Sequence, residues 1–309
     1  MRVVLVGGSG FLGSHLRARL VATGDEVTVV GRSSPGIADD GVRRVQWDAR
    51  SSGDWVSALD GADVVVHLAG KRVDCRPTRS NIEELISSRV RTVRLVGEAV
   101  KRLDSPPPAW VQLSSLAIFG DAGDAVIDES TAPTAAGPRQ QVEVCRRWEE
   151  AFHEASDGVA RTVLLRPAIG IGGAGDPATR QLSRLARCGL AGPVGGGHQW
   201  VSWIGIDDFV DLLVRAVKDP SMSGLYHLTA PNPARNSELM AAYRHAVGRR
   251  FGLATPELVA TAGAWLLGSD PALALTGRMC VPTRLLREGY EFRDVDIDTI
   301  VAQAVDANA

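Results

Sequence analysis

Three glycines with a regular spacing follow the first apolar run of the chain. The sequence begins MRVVLVGGSGFLGSHL, in which Gly7, Gly10 and Gly13 separate an apolar run from a helical pattern. A turn at Gly7 is too tight for a side chain, Gly10 lets the backbone approach a phosphate, and Gly13 lets the helix pack closely on the strand. The free N–H groups at the start of that helix attract anions. The pattern therefore predicts a dinucleotide site, with Phe11 and Leu12 among its cofactor-binding residues.

An arginine follows the second predicted strand, where sites that take NAD usually carry an acidic residue for the ribose 2′-OH. The strand EVTVV ends just before Gly31, Arg32 and Ser33. A guanidinium can bind a 2′-phosphate through two hydrogen bonds, and Ser33 adds a donor. We therefore predict NADP(H) as the cofactor, and the alternative is an arginine in an exposed loop. Asp48, beyond the third predicted strand, could accept a hydrogen bond from the adenine amino group.

Strands and helices alternate along the first half of the chain and predict the scaffold of this site. Such alternation is typical of the α/β class, with a Rossmann-type doubly wound parallel sheet and right-handed crossovers. The fourth predicted strand ends in Leu68, Ala69 and Gly70, where small residues let a cofactor pass close to the backbone. The predicted strands after the second are 43–47, 62–68, 110–114 and 161–166, and the helices between them are 81–103 and 141–155.

The composition of the sequence changes after Pro167, where glycines become frequent. We expect a Rossmann domain over residues 1–168, completed by a returning segment at about 200–230. Residues 169–199 and 231–309 would form a smaller, mainly helical substrate domain. This domain should cover the carboxyl edge of the sheet, where such folds bind ligands.

Composition excludes several other classes of protein. The chain has 309 residues, a net charge of −2 and 45% hydrophobic residues, which gives no reason to expect nucleic acid or a membrane surface as a partner. Its four cysteines are far apart and indicate neither a metal site nor a disulfide framework, as is typical of the cytoplasm. The longest late apolar stretch, Leu258 to Gly268, is too short for a membrane helix. We expect a cytoplasmic monomer or homodimer that binds a small molecule.

Several motifs together resemble those of the extended short-chain dehydrogenases/reductases: GGSGFLG, HLAG at 67–70, SSLAIFG at 114–120 and LRPAIGIG at 165–172. More narrowly, the chain resembles the atypical epimerase-family branch, whose members are also called sugar-nucleotide-epimerase-like. That resemblance rests on GKRVDCR, SSRVRT, CRRWEEA, GGGHQWVSWIGIDD, HLTAPNP and VPTRLLREGYEF, which span nearly the whole chain.

The resemblance implies a catalytic serine at Ser115, which would polarise the substrate oxygen. In active members of the superfamily a tyrosine carries the proton, and a lysine four residues later lowers the tyrosine pKa and binds ribose. Here Gln141 stands at the tyrosine position and Cys145 at the lysine position, and the chain contains no Tyr-x-x-x-Lys. Glutamine does not titrate, so a proton must come from another group or not be needed.

Two residues could replace the missing pair. Lys71 would lie beside the nicotinamide ribose and could orient it or polarise a carbonyl, unless it is a surface lysine. Cys145 could be a thiol acid or nucleophile, unless it is an inert buried side chain. The resemblance further places Pro167 and Ala168 at the nicotinamide and Gln199 and Trp203 at the substrate pocket, with a core position as the alternative for Trp203. Further predicted cofactor contacts are Lys71, Ser88 and Ser114.

The leading interpretation is an NADP(H)-binding atypical short-chain dehydrogenase/reductase, an oxidoreductase or epimerase-like enzyme with a nonstandard proton donor. One alternative is a protein that binds NADPH without turnover, as a redox sensor or structural partner. A second is a lyase or isomerase that uses the cofactor as a scaffold.

Overall fold

The computed structural model describes residues 1–38, 40–133 and 137–308. Its strands, in chain order, are β1 (Arg2–Val6), β2 (Glu26–Gly31), β3 (Gly36–Ile37), β4 (Arg43–Gln46), β5 (Val64–His67), β6 (Ala109–Leu113), β7 (Val126–Ile127), β8 (Arg161–Pro167), β9 (Ile169–Ile171), β10 (Trp200–Val201), β11 (Trp203–Gly205), β12 (Gly224–Leu228), β13 (Ala234–Arg235) and β14 (Met279–Cys280). Its helices are α1 (Phe11–Ala22), α2 (Arg79–Val100), α3 (Arg139–Ala155), α4 (Pro177–Arg187), α5 (Ile206–Lys218), α6 (Asn236–Ala246), α7 (Glu257–Leu267), α8 (Ala272–Leu275), α9 (Thr283–Arg287) and α10 (Ile297–Ala307).

Eight of these strands form one sheet in the order β12-β8-β6-β5-β1-β2-β4-β3. All neighbours in it are parallel except β3, which pairs antiparallel with β4. The order departs from β1 in both directions, so right-handed crossovers place helices on both faces. Helix α1 accordingly packs against α5, and α2 packs against α3. The predicted α/β class with a doubly wound parallel sheet is confirmed.

The inner strands are mostly buried, as expected for strands covered on both faces. Every residue of β5 and of β6 is buried. These strands, together with β1, form the centre of the largest hydrophobic cluster. Their carboxyl ends therefore lie side by side at one edge of a rigid sheet, which fixes the positions of the residues that follow them.

The returning segment joins this sheet through α5 and β12, which pairs with β8. Within this segment, residues 200–205 form two short strands, β10 and β11, separated at Ser202. These two strands pair with different partners, β13 and β9. A second hydrophobic cluster includes Trp203, Tyr243 and Ile300 and lies among the later elements. The boundaries of the two domains stay a prediction.

None of the helices in the described part of the chain combines the length and the hydropathy needed to cross a bilayer.

Candidate active site

The glycine turn after β1 is closely packed on two sides and open on the third. Gly7 has a φ of +83°, and a Cβ built on it would lie 2.5 Å from the Cα of Ala69. A Cβ on Gly13 would lie 2.5 Å from the carbonyl oxygen of Gly8. A Cβ on Gly10, in contrast, would meet no described atom within 4 Å. The turn is therefore packed against the end of β5, with open space next to Gly10.

Helix α1 begins directly at this open space. Gly10 is its N-cap residue, and no side chain accepts a hydrogen bond from the first turn. The helix also has no acidic residue in that turn. The backbone N–H groups of Phe11 and Leu12 thus lie at the free N-terminal end of a 12-residue helix. Such an end attracts a diphosphate, so the residues present fit the predicted cofactor.

A small cavity of about 220 Å³ lies beside the end of β2. Ser33 lines it, whereas Arg32, between the lining residues Gly31 and Ser33, is exposed and forms no ion pair with the described residues. Two further arginines, Arg17 and Arg44, line the cavity and were not predicted. Arg17 follows Gly10 by seven residues on α1, which is the spacing of one helix face and could have indicated it. The complete lining is Ser9, Ser14, Arg17, Val29, Gly31, Ser33, Arg44 and Val45.

Asp48 lies after β4 and is engaged by its own turn. Its carboxylate accepts hydrogen bonds from the backbone N–H groups of Arg50 and Ser51, at 2.7 and 2.9 Å. The hydrogen bond from Arg50, followed by those from Ser51, lowers the pKa of this carboxyl. Asp48 is exposed and does not line the cavity at β2.

A larger cleft of about 370 Å³ lies at the carboxyl ends of β5, β6 and β8. It brings together eight residues that the sequence predicted: Leu68, Ala69, Gly70, Ser114, Ser115, Cys145, Pro167 and Ala168. The C-terminal segment, residues 231–309, contributes Asp270, Thr276 and Arg278 to the lining. The cleft therefore lies where an open α/β sheet binds its ligand.

The two consecutive serines after β6 have different environments. The Ser114 hydroxyl donates to Glu149 Oε1 at 2.5 Å, and Glu149 also accepts two hydrogen bonds from Arg166, at 2.9 and 2.7 Å. All three side chains are buried, so Ser114 belongs to the floor of the cleft. The Ser115 Oγ accepts a hydrogen bond from the Ala117 N–H, and its O–H has no acceptor among the described residues. Ser115 can therefore donate to a ligand.

An arginine from the C-terminal segment reaches the position expected for the tyrosine. Gln141 is buried, and its Oε1 accepts hydrogen bonds from Arg278 Nη2 at 3.1 Å and from the Thr276 hydroxyl at 3.4 Å. Arg278 Nε also donates to the carbonyl of Gly120 at 2.9 Å. Arg278 was not predicted, because 137 residues separate it from Gln141 and no local pattern connects them.

A second arginine stands beside the position expected for the lysine. Burial raises the pKa of the Cys145 thiol to about 12, and the positive charge of Arg89 only partly opposes this. The guanidinium of Arg89 donates to the carbonyls of Lys71 and Leu85 at 2.9 and 3.2 Å. It also lies 4.9 Å from the ring centre of Trp148, a cation–π distance. Arg89 follows Leu85 by four residues on the buried face of α2, and this charged residue on an apolar face was an overlooked signal.

Lys71 is the predicted site residue whose placement differs most from expectation. Its Nζ binds Asn81 Oδ1 at 2.8 Å and the carboxylate of Glu84, both on α2. Lys71 does not line the cleft, because these two partners direct its ammonium towards α2. The Ser88 hydroxyl accepts a hydrogen bond from the Lys71 backbone N–H at 3.1 Å and so anchors this segment.

The two predicted substrate-pocket residues also lie outside the cleft lining. Gln199 Nε2 donates to the carbonyls of Val194 and Ala274 at 3.1 and 2.6 Å. Trp203 is fully buried in the second hydrophobic cluster, because β11 pairs with β9 there. The nearby residues Trp200 and Ser202 line the cleft instead.

A doubly wound parallel sheet, a glycine turn after β1 and a cleft at the carboxyl edge define a protein of the dinucleotide-binding α/β class. Residues 3–227 match the model of the NAD dependent epimerase/dehydratase family. The chain belongs to this family, and the predicted resemblance to it is confirmed.

Two relatives, one of them compared by both sequence and structure, show how far the similarity extends. The human epimerase family protein SDR39U1 is 31% identical over 314 residues, which cover 99% of this chain and all of the relative. The crystal structure of its isoform 2 with NADPH has a TM-score of 0.85 and 28% identity, and covers 99% of each chain. A nucleoside-diphosphate sugar epimerase from Corynebacterium glutamicum has a TM-score of 0.75 and 29% identity, over 98% of this chain and 57% of the other.

Proposed function

We propose that this protein is an NADP(H)-dependent oxidoreductase or epimerase-like enzyme that acts on a small molecule in the cleft. The observation that carries the proposal is the contact between Gly7 and Ala69. It joins the open glycine turn to the cleft that contains Ser115. A dinucleotide that followed this path would have its phosphates at α1 and its nicotinamide in the cleft.

Recognition of the cofactor would be divided among three places. The diphosphate would lie at the start of α1, against Gly10, where a Cβ would fill the open space. The 2′-phosphate would lie at the cavity beside β2, which Arg17 and Arg44 line and next to which Arg32 is exposed. Arg17 would then share its charge between the phosphate and Asp40, which lies 2.9 Å from its Nε. The crystallised human relative contains NADPH, which supports NADP(H) over NAD. Pro167 and Ala168 would contact the nicotinamide.

The cation beside the nicotinamide ribose would come from Arg89 rather than from a lysine on α3. Its guanidinium lies beside Cys145 and near the backbone of Gly70, where a Cβ would be 3.1 Å from Arg89 Cζ. Arginine stays charged when it is buried, and so it can hold a ribose oxygen without titrating. Arg89 would therefore orient the cofactor but carry no proton.

When bound, the cofactor supplies a hydride acceptor or donor. The Ser115 hydroxyl would donate a hydrogen bond to the reacting oxygen of the substrate. Gln141 cannot titrate, and the high pKa of Cys145 makes this thiol a poor acid. Because the Lys71 ammonium is bound on α2, we propose that water supplies the proton.

Turnover assays on the NADPH complex test this proposal directly. We expect a panel of carbonyl compounds and sugar nucleotides to include a substrate that consumes NADPH, measured by loss of its absorbance. Ser115→Ala should then lower kcat about 100-fold, as loss of one oxyanion donor does. Ser57→Ala, at an exposed serine, serves as the matched control. Full activity in Ser115→Ala would contradict the role of Ser115.

The second candidate function is an NADPH-binding sensor without turnover. Gln141 stands at the position expected for the tyrosine, and its amide cannot supply a proton. The residues proposed to bind the cofactor lie at other positions, so this replacement favours binding of NADPH without turnover. Tight binding of NADPH without consumption of any compound in the panel would support this candidate. A fixed-scaffold role in a lyase or isomerase step predicts a product without net consumption of NADPH.

The cellular setting is also part of the proposal. The four cysteines lie within the described residues and are free, which suits a reducing compartment such as the cytoplasm.

A further inference from the structure

We propose that Arg278 binds an anionic oxygen group of the substrate, a carboxylate or a phosphate, with Gln141 and Thr276 holding the guanidinium in place. This inference rests on the proposed function, because it names the substrate class of the same cleft. The substrate is thus a small carbonyl or hydroxyl compound that carries a negative group.

Three neutral acceptors fix the orientation of Arg278. Its Nε donates to the carbonyl of Gly120 at 2.9 Å, and its Nη2 donates to Gln141 at 3.1 Å and Thr276 at 3.4 Å. The third nitrogen, Nη1, forms no hydrogen bond with a described residue and is not enclosed by the protein. Because Arg278 also lines the cleft, this nitrogen is available to a ligand there.

The charges that line the cleft are unbalanced. Arg89 and Arg278 both line it, and the hydrogen bonds of both go to neutral oxygens of described residues rather than to carboxylates. Asp270 is the one acidic residue among the described lining residues, and burial raises the pKa of its carboxyl. The cleft therefore holds an excess of positive charge away from bulk water, where an anion gains most from it.

The two arginines serve different ligands. Arg89 lies against Gly70 and the Lys71 carbonyl, on the side of the cofactor path. Arg278 comes from the C-terminal segment and reaches Gln141, at the position expected for the tyrosine. The 370 Å³ of the cleft must hold the nicotinamide as well, which leaves room for a small substrate only. Arg278 thus selects the substrate.

Calorimetric titration of the NADP⁺-saturated protein tests this inference. Saturation fills the phosphate sites of the cofactor, so that any remaining anion site lies elsewhere. The probes are oxalate for a carboxylate, inorganic phosphate for a phosphate, and neutral oxamide as the control for shape. We expect one anion to bind and oxamide not to bind, and the anion that binds identifies the group.

Variants assign the binding to Arg278. Arg278→Gln should weaken binding of the anion at least about tenfold, which is the effect of losing a charge-assisted hydrogen bond. Arg278→Lys keeps the positive charge but loses the planar array of guanidinium donors, and should weaken anion binding less than Arg278→Gln does. Arg102→Gln removes an exposed arginine and should leave it unchanged. If Arg278→Gln does not fold, weaker anion binding by Arg278→Lys, together with the absence of oxamide binding, still assigns the anion to Arg278.

Three results would overturn the inference: neither anion binds, oxamide binds as tightly as oxalate, or Arg278→Gln binds the anion like the unmodified protein. The dissociation constant of NADP⁺, measured in the same variants, separates this failure from failure of the proposed function. If NADP⁺ does not bind, the proposed function fails. In that case the anion is titrated without cofactor. Weaker anion binding by Arg278→Gln than by the unmodified protein then still supports the role of Arg278, and equal binding contradicts it.

Discussion

Replacing Gly10 with alanine should abolish tight NADPH binding without unfolding the protein. A Cβ at this position meets no described atom within 4 Å, and the φ of −81° suits alanine. Alanine is a poorer N-cap than glycine but restricts the unfolded chain, so the free energy of unfolding should change by less than about 1 kcal/mol. The same methyl group would occupy the space for the diphosphate. Loss of one or two charge-assisted hydrogen bonds there weakens binding at least about tenfold.

Gly13→Ala is the matched control for Gly10→Ala. Its Cβ would lie 2.5 Å from the carbonyl oxygen of Gly8, so the backbone must move, and overpacking of this kind costs about 1–3 kcal/mol. Urea unfolding measures the stability of both variants, and fluorescence titration measures their NADPH dissociation constants. The reasoning is refuted if Gly10→Ala binds NADPH like the unmodified protein, or if it loses as much stability as Gly13→Ala.

Two further predictions concern the buried polar groups around the cleft. Glu149→Gln leaves Arg166 buried without its counter-ion and should lower the free energy of unfolding by about 3–5 kcal/mol, whereas Glu154→Gln, in an exposed ion pair, should change it by less than about 1 kcal/mol. Equal losses of unfolding free energy in the two variants, measured by urea unfolding, would contradict a stabilising role of the buried ion pair. Burial lowers the pKa of His67 and of His227 to about 3 from 6.5, so the unfolded chain binds their protons first and stability falls as pH decreases from about 6.5 towards 3. Each histidine should contribute a loss of about 2 kcal/mol by pH 5, and a stability that is equal at pH 7 and pH 5 would contradict this.

The sequence predicted the glycine turn and much of the cleft lining, because both are built from local patterns. The glycine turn, the apolar strand before it and the small residues after β5 are each contiguous in the chain. Their geometric consequence, the contact of Gly7 with Ala69, follows once β1 and β5 are neighbours in a parallel sheet. The same reasoning placed Ser115 at the cleft, because residues after buried parallel strands share one edge.

The charges of the cleft were harder to predict, for two different physical reasons. Arg89 had a local signal, since it interrupts the apolar face of α2 between Leu85 and Val93. Arg278 had none, because its contact with Gln141 depends on how the C-terminal segment folds over the sheet. The direction of a flexible side chain is equally hard to predict from sequence, because it depends on the partners that the fold brings near it. Lys71 is next to the predicted residues, yet its ammonium is bound to α2.

The dissociation constants of NADPH and NADH, measured side by side by protein fluorescence, test the central claim most directly. The arginines near the end of β2 should make NADPH bind at least about tenfold more tightly than NADH. Arg32→Ala should reduce that preference. Equal affinity of the unmodified protein for the two cofactors would contradict the account.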